Sequence, residues 1–327
     1  MITSRTPLRI SFAGGGTDIP NFYKKNSYGC VLNSSINKYI YVSVKKHSDI
    51  YPEKIRLNYS QTEQVNNIEK IKNPIIKACL KFLKIDDNIY ISTVADAPGS
   101  SGLGSSSTFC VGLLNALYAY KGQAVNRNRL AEEAAMIEIE ILKRPIGKQD
   151  HYAAAFGSIN FFKFHDDDSI SVRPVDESSR YTKLLFNNLL TFYTNINRDA
   201  SKILFFQKKR SHTNIDDLIL IRKQAEDLYN MIYENKINPR KFGDFLDKGW
   251  EIKKRLSKKV SNKFIDDVYY LGKKKGAFGG KLSGAGGGGF LSFVSAKKNK
   301  KMIINSLTKK GLKFFPLKLE TSGSIIL

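Results

Sequence analysis

The pattern of apolar and polar residues predicts alternating strands and helices along the first half of the chain. Runs of β-branched and aromatic residues indicate strands, and apolar residues three and four apart indicate helices. The predicted strands cover residues 31–45, 89–94, 158–164 and 169–174, and the last two form a hairpin across Asp166-Asp167-Asp168. The predicted helices cover residues 73–83, 106–120 and 126–142, with Asn126 placed to cap the third.

Beyond about Leu184 the pattern changes to a strand, several helices and then paired strands. The strands are predicted at 189–194, 277–282, 290–294 and 312–317, and a helix is predicted at 297–309. The closing order of helix, two strands, helix and strand suits a ferredoxin-like α+β half. A chain of 327 residues buries a substantial core, and we expect two lobes without internal repeats or a low-complexity linker.

The ten residues from Pro98 to Ser107 carry the clearest chemical signal. Glycine lets a backbone turn sharply and bring its N–H groups close to a ligand, and a helix that begins at the serines directs its free N–H groups and positive dipole end to the same place. The segment therefore predicts a phosphate-binding loop. A flexible linker is the alternative, which the apolar residues Leu113, Leu114 and Leu117 just afterwards disfavour. The loop residues are Pro98, Gly99, Ser100, Ser101, Gly102, Leu103, Gly104, Ser105, Ser106 and Ser107.

Two common nucleotide-binding motifs do not account for this loop. The chain contains no Walker-type string in which a glycine-rich loop ends in Gly-Lys-Ser or Gly-Lys-Thr. The dinucleotide pattern Gly-x-Gly-x-x-Gly does occur at Gly284, Gly286 and Gly289, but the strand-like run 290–294 follows it in place of a helix. Where an acidic ribose ligand is expected, about 20 residues further on, the chain has Lys309-Lys310.

A third glycine cluster lies near the start of the chain. Residues 7–18 read Pro-Leu-Arg-Ile-Ser-Phe-Ala-Gly-Gly-Gly-Thr-Asp, a short strand that ends in three glycines and an acid. Together with segments 98–107 and 281–289, this cluster resembles the three motifs of the GHMP kinases, the superfamily of galactokinase, homoserine kinase, mevalonate kinase and phosphomevalonate kinase. The motifs occur in the family's order and at fitting separations, and they span residues 7–289.

Details within the motifs resemble one branch of that superfamily, the heptose 7-phosphate kinases, with the kinase domain of L-fucokinase as a near relative. The relevant segments are Pro145–Tyr152, the Gly14–Asp18 loop, and residues 102–108 with their three serines. Galactokinase-like members usually carry Glu and His in place of the second and third glycines of that loop, which makes galactose less suitable. Thr194-Asn195 departs from the pattern, because a Thr-Gly pair is expected there.

The resemblance implies an α+β, two-lobed GHMP kinase fold. Its N-terminal lobe would be ribosomal-S5-like and cover residues 1–183, and its C-terminal lobe would be ferredoxin-like and cover residues 184–327. The implied reaction is ATP- and Mg²⁺-dependent phosphorylation of the anomeric hydroxyl of a heptose 7-phosphate. The 1,7-bisphosphate product would supply nucleotide-activated heptose for a surface polysaccharide.

The predicted helix 126–142 supplies a candidate carboxylate for the divalent ion. At about 100° per residue, Glu138 lies about 60° from the centre of the helix's apolar stripe, whereas Glu133 and Glu140 lie about 80–100° away. A buried acid needs a partner, and a metal ion is a suitable one; a flanking carboxylate without a ligand is the alternative. The resemblance implies Glu138 as the magnesium carboxylate, and the hydroxyl of Ser106, or that of Ser107, as the second protein ligand.

Asp150 follows Gly147-Lys148-Gln149 and opens a helical stretch at 152–156. An aspartate in this position is equally suited to cap the helix. The resemblance implies that Asp150 is the catalytic acid, which accepts the proton of the substrate hydroxyl. Arg9 matches the basic residue that the family keeps near this acid, where a fixed cation would hold the carboxylate ionised and stabilise a developing alkoxide.

The glycine loop of the first motif is expected to contact the substrate. Asp18 would accept hydrogen bonds from two sugar hydroxyls, with a plain turn aspartate as the alternative. Candidate cations for a substrate phosphate are Arg198, Lys202 and Lys281, each of which could equally be a surface charge. The substrate-binding residues expected from the resemblance are Arg9, Gly14, Gly15, Gly16, Thr17, Asp18, Asp150, Arg198, Gly284 and Gly286.

Composition adds one further question, which is the net charge of +23. A nucleic-acid-binding or membrane-surface protein is one interpretation. The lysines are spread along the whole chain without a basic arm, which favours a compositional bias, and a positive field would also attract ATP and a phosphorylated sugar. The three cysteines, Cys30, Cys79 and Cys110, are too few and too scattered for a disulfide framework or a zinc site.

We expect a cytoplasmic enzyme, because the N-terminus has no apolar secretory core and no run approaches 18 apolar residues. The expected partner is the phosphorylated sugar, without nucleic acid or membrane, and a homodimer stays open. A kinase for another sugar such as L-fucose is the first alternative. A non-catalytic sugar sensor or nucleic-acid-binding protein on the same fold is the second, and an intact set of Ser106, Glu138 and Asp150 argues against it.

Overall fold

The computed structural model describes residues 1–196 and 214–327, in which helices cover two β-sheets. The strands are β1 (Ile2–Ala13), β2 (Tyr28–Lys46), β3 (Ile55–Asn58), β4 (Thr62–Val65), β5 (Ile89–Ala95), β6 (Ile159–His165), β7 (Ile170–Pro174), β8 (Leu189–Tyr193), β9 (Ala277–Leu282), β10 (Phe290–Ser295), β11 (Lys313–Phe314) and β12 (Ile325–Ile326). The α-helices are α1 (Pro20–Tyr23), α2 (Pro74–Phe82), α3 (Ser105–Tyr120), α4 (Arg127–Met136), α5 (Gln149–Phe156), α6 (Arg180–Asn187), α7 (Ile215–Tyr233), α8 (Pro239–Arg255), α9 (Lys263–Lys274) and α10 (Lys300–Thr308). Short 3-10 helices lie at Ile68–Lys70 and Lys297–Asn299, and a π-helical turn lies at Ile137–Ile141. Every helix in these parts of the chain is too short or too polar to pass through a lipid bilayer.

The long strand β2 organises the first sheet, whose main path runs β12-β1-β2-β5-β3-β4. It pairs with β1 along one side, and on the other side its first half pairs with β6 and its second half with β5. These pairings are antiparallel, and β3 and β5 form a parallel pair. One strand therefore joins the first motif, on β1, to the hairpin β6–β7.

The second sheet confirms the predicted ferredoxin-like half. Its order is β11-β8-β10-β9, and every pairing within it is antiparallel. In chain order this is strand, helices, two strands, helix and strand, which is the split βαβ arrangement. The overall architecture is thus the α+β, two-sheet fold that the sequence predicts.

Helix α3 is the centre of the larger apolar core. Its side chains Cys110, Val111, Leu113 and Leu114 are fully buried, and it packs on β1 and β2. The hydroxyl of Ser4 on β1 donates to the carbonyl of Gly112, which ties strand and helix together at close range. Because this helix begins directly after the glycine loop, the core fixes the position of the loop's C-terminal end.

Two predicted elements differ from the structure. The helix predicted at 126–142 is α-helical only to Met136, and residues 137–141 form a π-helical turn, although Asn126 caps it as expected by accepting from the N–H of Arg129. The strand predicted at 312–317 is only two residues long, since the chain leaves the second sheet after Phe314. Near Leu319 it already forms a bridge to Ile36 in the first sheet.

The last residues of the chain return to the first sheet. Strand β12 pairs with Ser4 and Arg5 of β1, and the N–H of Ser324 donates to the carbonyl of Ala154 in α5. The carbonyl of Glu320 accepts from the N–H of Ser158. The terminal segment thus braces the back of α5, although the proposed boundary at 183/184 assigns it to the second lobe.

Replacing Gly323 by alanine should destabilise the fold by about 1–3 kcal/mol, because overpacking of a well-packed site has this cost. A Cβ at this position would lie 2.0 Å from the carbonyl oxygen of Ala155, so the terminal segment would have to move away from α5. Chemical denaturation followed by circular dichroism measures the change. Ser322→Ala is the matched control, since it alters the neighbouring residue without adding a Cβ; equal stability of the two variants would contradict the prediction.

Candidate active site

The three glycine motifs meet in one cleft of about 770 Å³ between the two sheets. Its wall includes Arg9 and the 14–16 turn from the first motif, most of the loop at 99–107, and Lys281 and Gly284 from the third. Helices α5, α7 and α8 add further side chains. Segments far apart in the sequence are thereby brought to a single site, as the motif pattern predicts.

The glycine loop ends at the N-terminus of α3. Gly104 stands directly before the helix with a φ of 78°, a left-handed conformation that favours glycine over other residues. The cleft wall includes Gly99, Ser100, Gly102, Gly104 and all three serines at 105–107. The first turn of the helix therefore directs its free N–H groups into the cleft, as expected of a phosphate-binding loop.

Pro98, Ser101 and Leu103 of this predicted loop do not line the cleft. Leu103 is fully buried in the apolar core. The hydroxyl of Ser101 donates to the carbonyl of Pro98 at 2.7 Å and closes the turn. The nucleotide contacts expected of residues 98–107 stay a prediction, and the side chains of Ser101 and Leu103 stabilise the loop itself.

Arg9 and Asp150 form a bidentate ion pair. Arg9 Nε donates to Asp150 Oδ1 at 2.7 Å and Nη2 donates to Oδ2 at 2.6 Å, while Nη1 donates to the carbonyl of Gly102. The arginine side chain is 5% exposed and the aspartate 22%, so the carboxylate faces the cleft. Lys148, not Asp150, is the N-cap of α5, which contradicts the alternative that Asp150 merely caps a helix.

Glu138 is fully buried behind the glycine loop. Its Oε1 accepts from the hydroxyl of Ser106 at 2.6 Å and from Arg144 Nη1 at 2.7 Å, and its Oε2 accepts from His151 Nε2 at 2.9 Å. Burial opposes ionisation of this carboxyl, but the three donors outweigh it and lower its pKa to about 2. The predicted magnesium carboxylate is therefore ionised and in direct contact with the predicted hydroxyl ligand.

The donor set around Ser106 fits Mg²⁺. A hydroxyl oxygen and a carboxylate oxygen are hard ligands, and Mg²⁺ usually takes few protein ligands together with phosphate oxygens and water. Within residues 1–196 and 214–327, no group of three or more His, Cys, Asp or Glu side chains is arranged to hold a metal ion by itself. Ser106 and Glu138 are the residues that would hold the ion, together with phosphate oxygens and water.

Asp18 is tied to the start of α5. Its carboxylate accepts from the N–H of Gly16, from the N–H of Gln149 and from Gln149 Nε2, all at 2.9–3.1 Å. Burial raises the pKa of this carboxyl, and the nearby charge of Asp150 raises it further. The expected contact between Asp18 and sugar hydroxyls stays a prediction, and the geometry adds a positioning role toward Gln149.

Two other predicted substrate residues face the protein. The side chain of Thr17 is buried, and its hydroxyl donates to the carbonyls of Gly14 and Cys30, which shapes the turn from within. Gly286 lies against the backbone of Val260 and is not part of the cleft wall. Substrate contacts of these two residues stay a prediction, and what the structure shows for them is close packing within the protein.

Lys281 is the predicted cation that the structure places in the cleft. Its ammonium donates to the carbonyl of Phe12 at 2.9 Å, and no carboxylate forms an ion pair with it among the described residues. Burial, and to a smaller extent the charge of Arg9, lower its pKa to about 7. The other two candidates, Arg198 and Lys202, lie outside the described residues.

The departure at Thr194-Asn195 has a simple structural counterpart. Asn195 has a φ of 57°, in the left-handed region where asparagine substitutes for glycine more readily than most residues. Thr194 is bonded on both sides to Gly289 of the third motif. Asn195 therefore adopts a backbone conformation that a glycine would also adopt readily.

Sequence reasoning missed several cleft residues. Arg144, Ser11 and Gln149 line the cleft, and His151 is buried behind it against Glu138. The only sequence signal for them was proximity to recognised residues, since Gln149 and His151 flank Asp150. Which element each side chain packs against depends on the tertiary fold.

Comparisons with known proteins agree with this geometry. The model of the GHMP kinase N-terminal domain matches residues 71–158, and that of the GHMP kinase C-terminal domain matches residues 227–311. The chain is 31% identical to a D-glycero-alpha-D-manno-heptose 7-phosphate kinase of Campylobacter jejuni, over 94% of this chain and 93% of that protein. It is 25% identical to an L-fucokinase/L-fucose-1-P guanylyltransferase of Bacteroides fragilis, over 99% of this chain but only 38% of that protein.

Among solved structures, a D-glycero-D-manno-heptose 1-phosphate kinase from Bacteroides thetaiotaomicron superposes with a TM-score of 0.82. The alignment covers all of this chain and 99% of that one at 24% sequence identity. The similarity therefore shows that the two proteins share a fold. The fold, both domain models and the 31% identical relative agree with one another. The chain therefore belongs to the GHMP kinase family, as its three glycine motifs predict.

Proposed function

We propose that this protein is an ATP- and Mg²⁺-dependent kinase that phosphorylates the anomeric hydroxyl of a heptose 7-phosphate. The observation that carries the proposal is the Arg9–Asp150 ion pair, which faces the same cleft as the glycine loop and Ser106. The relative at 31% identity is a heptose 7-phosphate kinase, which supports a sugar phosphate as the acceptor. The product would be a heptose 1,7-bisphosphate, a precursor of nucleotide-activated heptose for surface polysaccharide.

Asp150 is suited to take the proton of the acceptor hydroxyl. As the hydroxyl oxygen forms its bond to the γ-phosphorus, the bond to the β,γ-bridging oxygen breaks and ADP leaves, while the proton passes to the carboxylate. The guanidinium of Arg9 keeps Asp150 in one orientation and places positive charge beside the oxygen that becomes negative. The direct transfer requires no covalent enzyme intermediate.

The triphosphate would lie against the glycine loop. Backbone N–H groups at the start of α3 and the hydroxyls of residues 105–107 face that part of the cleft. Arg144 adds a cation at the same place, beside Ser106. Bound Mg²⁺ would neutralise charge on the β- and γ-phosphates, and Ser106 with Glu138 would hold it. The positive field of the protein then serves anionic substrates, without a nucleic-acid partner.

The 7-phosphate of the acceptor needs cations at the sugar end of the cleft. Lys281 lines the cleft and donates to the carbonyl of Phe12, which supports it as one of these cations. A phosphate dianion would give its buried ammonium a countercharge. Arg198 is the second proposed contact and lies outside the described residues. Gly284, beside Lys281 in the cleft wall, lets the acceptor approach the backbone.

L-Fucose is the second candidate substrate, because an L-fucokinase is 25% identical over nearly the whole chain. An unphosphorylated sugar would leave Lys281 without the countercharge described above, which disfavours this candidate. A panel of free and phosphorylated sugars separates the two possibilities directly.

Asp150→Asn should lower kcat by about 10²–10⁴-fold, the usual contribution of a positioned general base. ADP release with ATP and Mg²⁺ is measured for the wild type and the variant over the sugar panel. We expect wild-type turnover only with heptose 7-phosphate. Turnover of free L-fucose would contradict the substrate, full activity of the variant would contradict the base, and an inactive wild type that still binds sugar would favour the sensor.

Glu138→Gln should raise the Mg²⁺ concentration required for half-maximal activity by roughly tenfold or more, because a neutral amide is a weaker ligand than a carboxylate. Initial rates are measured over a magnesium titration at saturating ATP. Glu140→Gln is the matched control, since Glu140 lies two residues further on and is exposed. A similar magnesium requirement in both variants would exclude Glu138 from the metal site.

Wild-type KM for heptose 7-phosphate should rise by up to about tenfold per pH unit above about pH 7, because only the protonated Lys281 attracts a dianion. The pKa of Lys281 is lowered to about 7, so its ammonium keeps its positive charge as the pH falls below that value and loses it as the pH rises. Lys281→Arg keeps its charge and should flatten the profile. KM measurements at saturating ATP between about pH 6.5 and about pH 9 test this; a flat wild-type profile would remove Lys281 from the phosphate site.

A further inference from the structure

Four buried polar atoms of cleft-wall residues have no hydrogen-bond partner among the described residues: Ser11 Oγ, Thr93 Oγ1, Ser105 Oγ and Gln149 Oε1. Two of these residues, Ser11 and Gln149, both border Gly15. Ser11 is 7% exposed and Gln149 9%, and both belong to the cleft wall. A buried polar atom without a partner destabilises a folded protein, so native structures keep few of them. An unpaired donor–acceptor set in a binding cleft therefore points to a ligand group that completes it.

The two side chains face the same space. A Cβ built on Gly15 would be 3.4 Å from Gln149 Nε2 and 3.7 Å from Ser11 Oγ, so the two side chains border the same side of Gly15. Gly15 has no side chain to fill this space. The first motif and the start of α5 thus enclose a small polar recess beside Asp150.

Asp18 determines which atom of the Gln149 amide is available. The Asp18 carboxylate accepts from both Nε2 and the backbone N–H of Gln149, which fixes the side chain at two points. A carboxylate oxygen accepts only from the NH₂ end, so the amide oxygen must face away from Asp18. The recess therefore combines a carbonyl acceptor with a serine hydroxyl that can donate or accept.

This chemistry selects a neutral hydroxyl as the ligand. A hydroxyl donates one hydrogen bond, which Gln149 Oε1 accepts, and accepts another, which Ser11 Oγ donates. An anion would meet the amide oxygen and lie near the Asp18 carboxylate, both of which repel it. The substrate phosphate consequently has to bind elsewhere in the cleft.

We propose that Ser11 and Gln149 form a hydroxyl-binding subsite that recognises a sugar hydroxyl near the one deprotonated by Asp150, with Asp18 as a positioning residue. The inference rests on the proposed function in one respect, namely that the acceptor is a polyol. Beyond that function, the inference assigns to Ser11 and Gln149 the discrimination between sugars that carry this hydroxyl and sugars that lack it.

Ser11→Ala separates this role from a structural one. The variant should raise the KM for heptose 7-phosphate roughly 2- to 12-fold, the value of one neutral hydrogen bond, and leave the KM for ATP unchanged. Because it removes an unpaired buried hydroxyl, its melting temperature should equal or exceed that of the wild type. Ser295→Ala is the matched control, since Ser295 Oγ is also buried and unpaired but lies on β10, outside the cleft wall.

Gly15→Ala is the second variant and fills the recess with a methyl group. It should raise the KM for the sugar at least as much as Ser11→Ala, without an effect on the KM for ATP. An unchanged sugar KM in both variants, or an equal rise in Ser295→Ala, would overturn the subsite while leaving the kinase activity intact.

The subsite can be tested even if heptose 7-phosphate is not the substrate. If the wild type phosphorylates another sugar of the panel, the same KM comparison is made with that sugar. If none is phosphorylated, calorimetry with a non-hydrolysable ATP analogue measures sugar binding directly. Equal affinity of the wild type and Ser11→Ala, or no wild-type binding of any sugar, then overturns the subsite; weaker binding by Ser11→Ala alone supports it.

Discussion

The guanidinium of Arg9 connects the three segments on which the cleft depends. It forms two parallel hydrogen bonds with Asp150 on α5 and a third with the carbonyl of Gly102 in the glycine loop, from a position on β1. Its planar fork fixes the relative orientation of strand, loop and helix as well as their separation. A lysine would supply the charge but not this geometry.

Charge in the cleft is arranged in two layers of different burial. Glu138 and His151 are inaccessible to solvent and bonded to each other, and Glu138 accepts short hydrogen bonds from Ser106 and Arg144 at the cleft surface. Pre-arranged groups of this kind stabilise transferred charge without having to reorganise during the reaction. The buried carboxylate of Glu138 therefore fixes the positions of Ser106 and Arg144 at the cleft surface.

The sequence was informative where local physics decides the structure. Glycine and serine spacing located a loop that lines the cleft at the start of α3. Helical periodicity correctly placed Glu138 rather than Glu140 on the buried side, because α4 remains regular up to Met136. The same periodicity could not reveal the π-helical turn at 137–141, which changes the hydrogen bonding of the backbone. Nor could it assign His151 or Arg144, since their contacts join separate segments that only the tertiary fold brings together.

The return of the terminal segment to β1 has a consequence for the order of folding. Residues 325–326 complete the first sheet beside residues 4–5, so this edge of the sheet stays open until residues 325–326 have been synthesised. An open strand edge is a template for pairing with other chains, and contacts across more than 300 residues are slow to form. The helix that carries Asp150 is thus braced by a segment that is synthesised long after it.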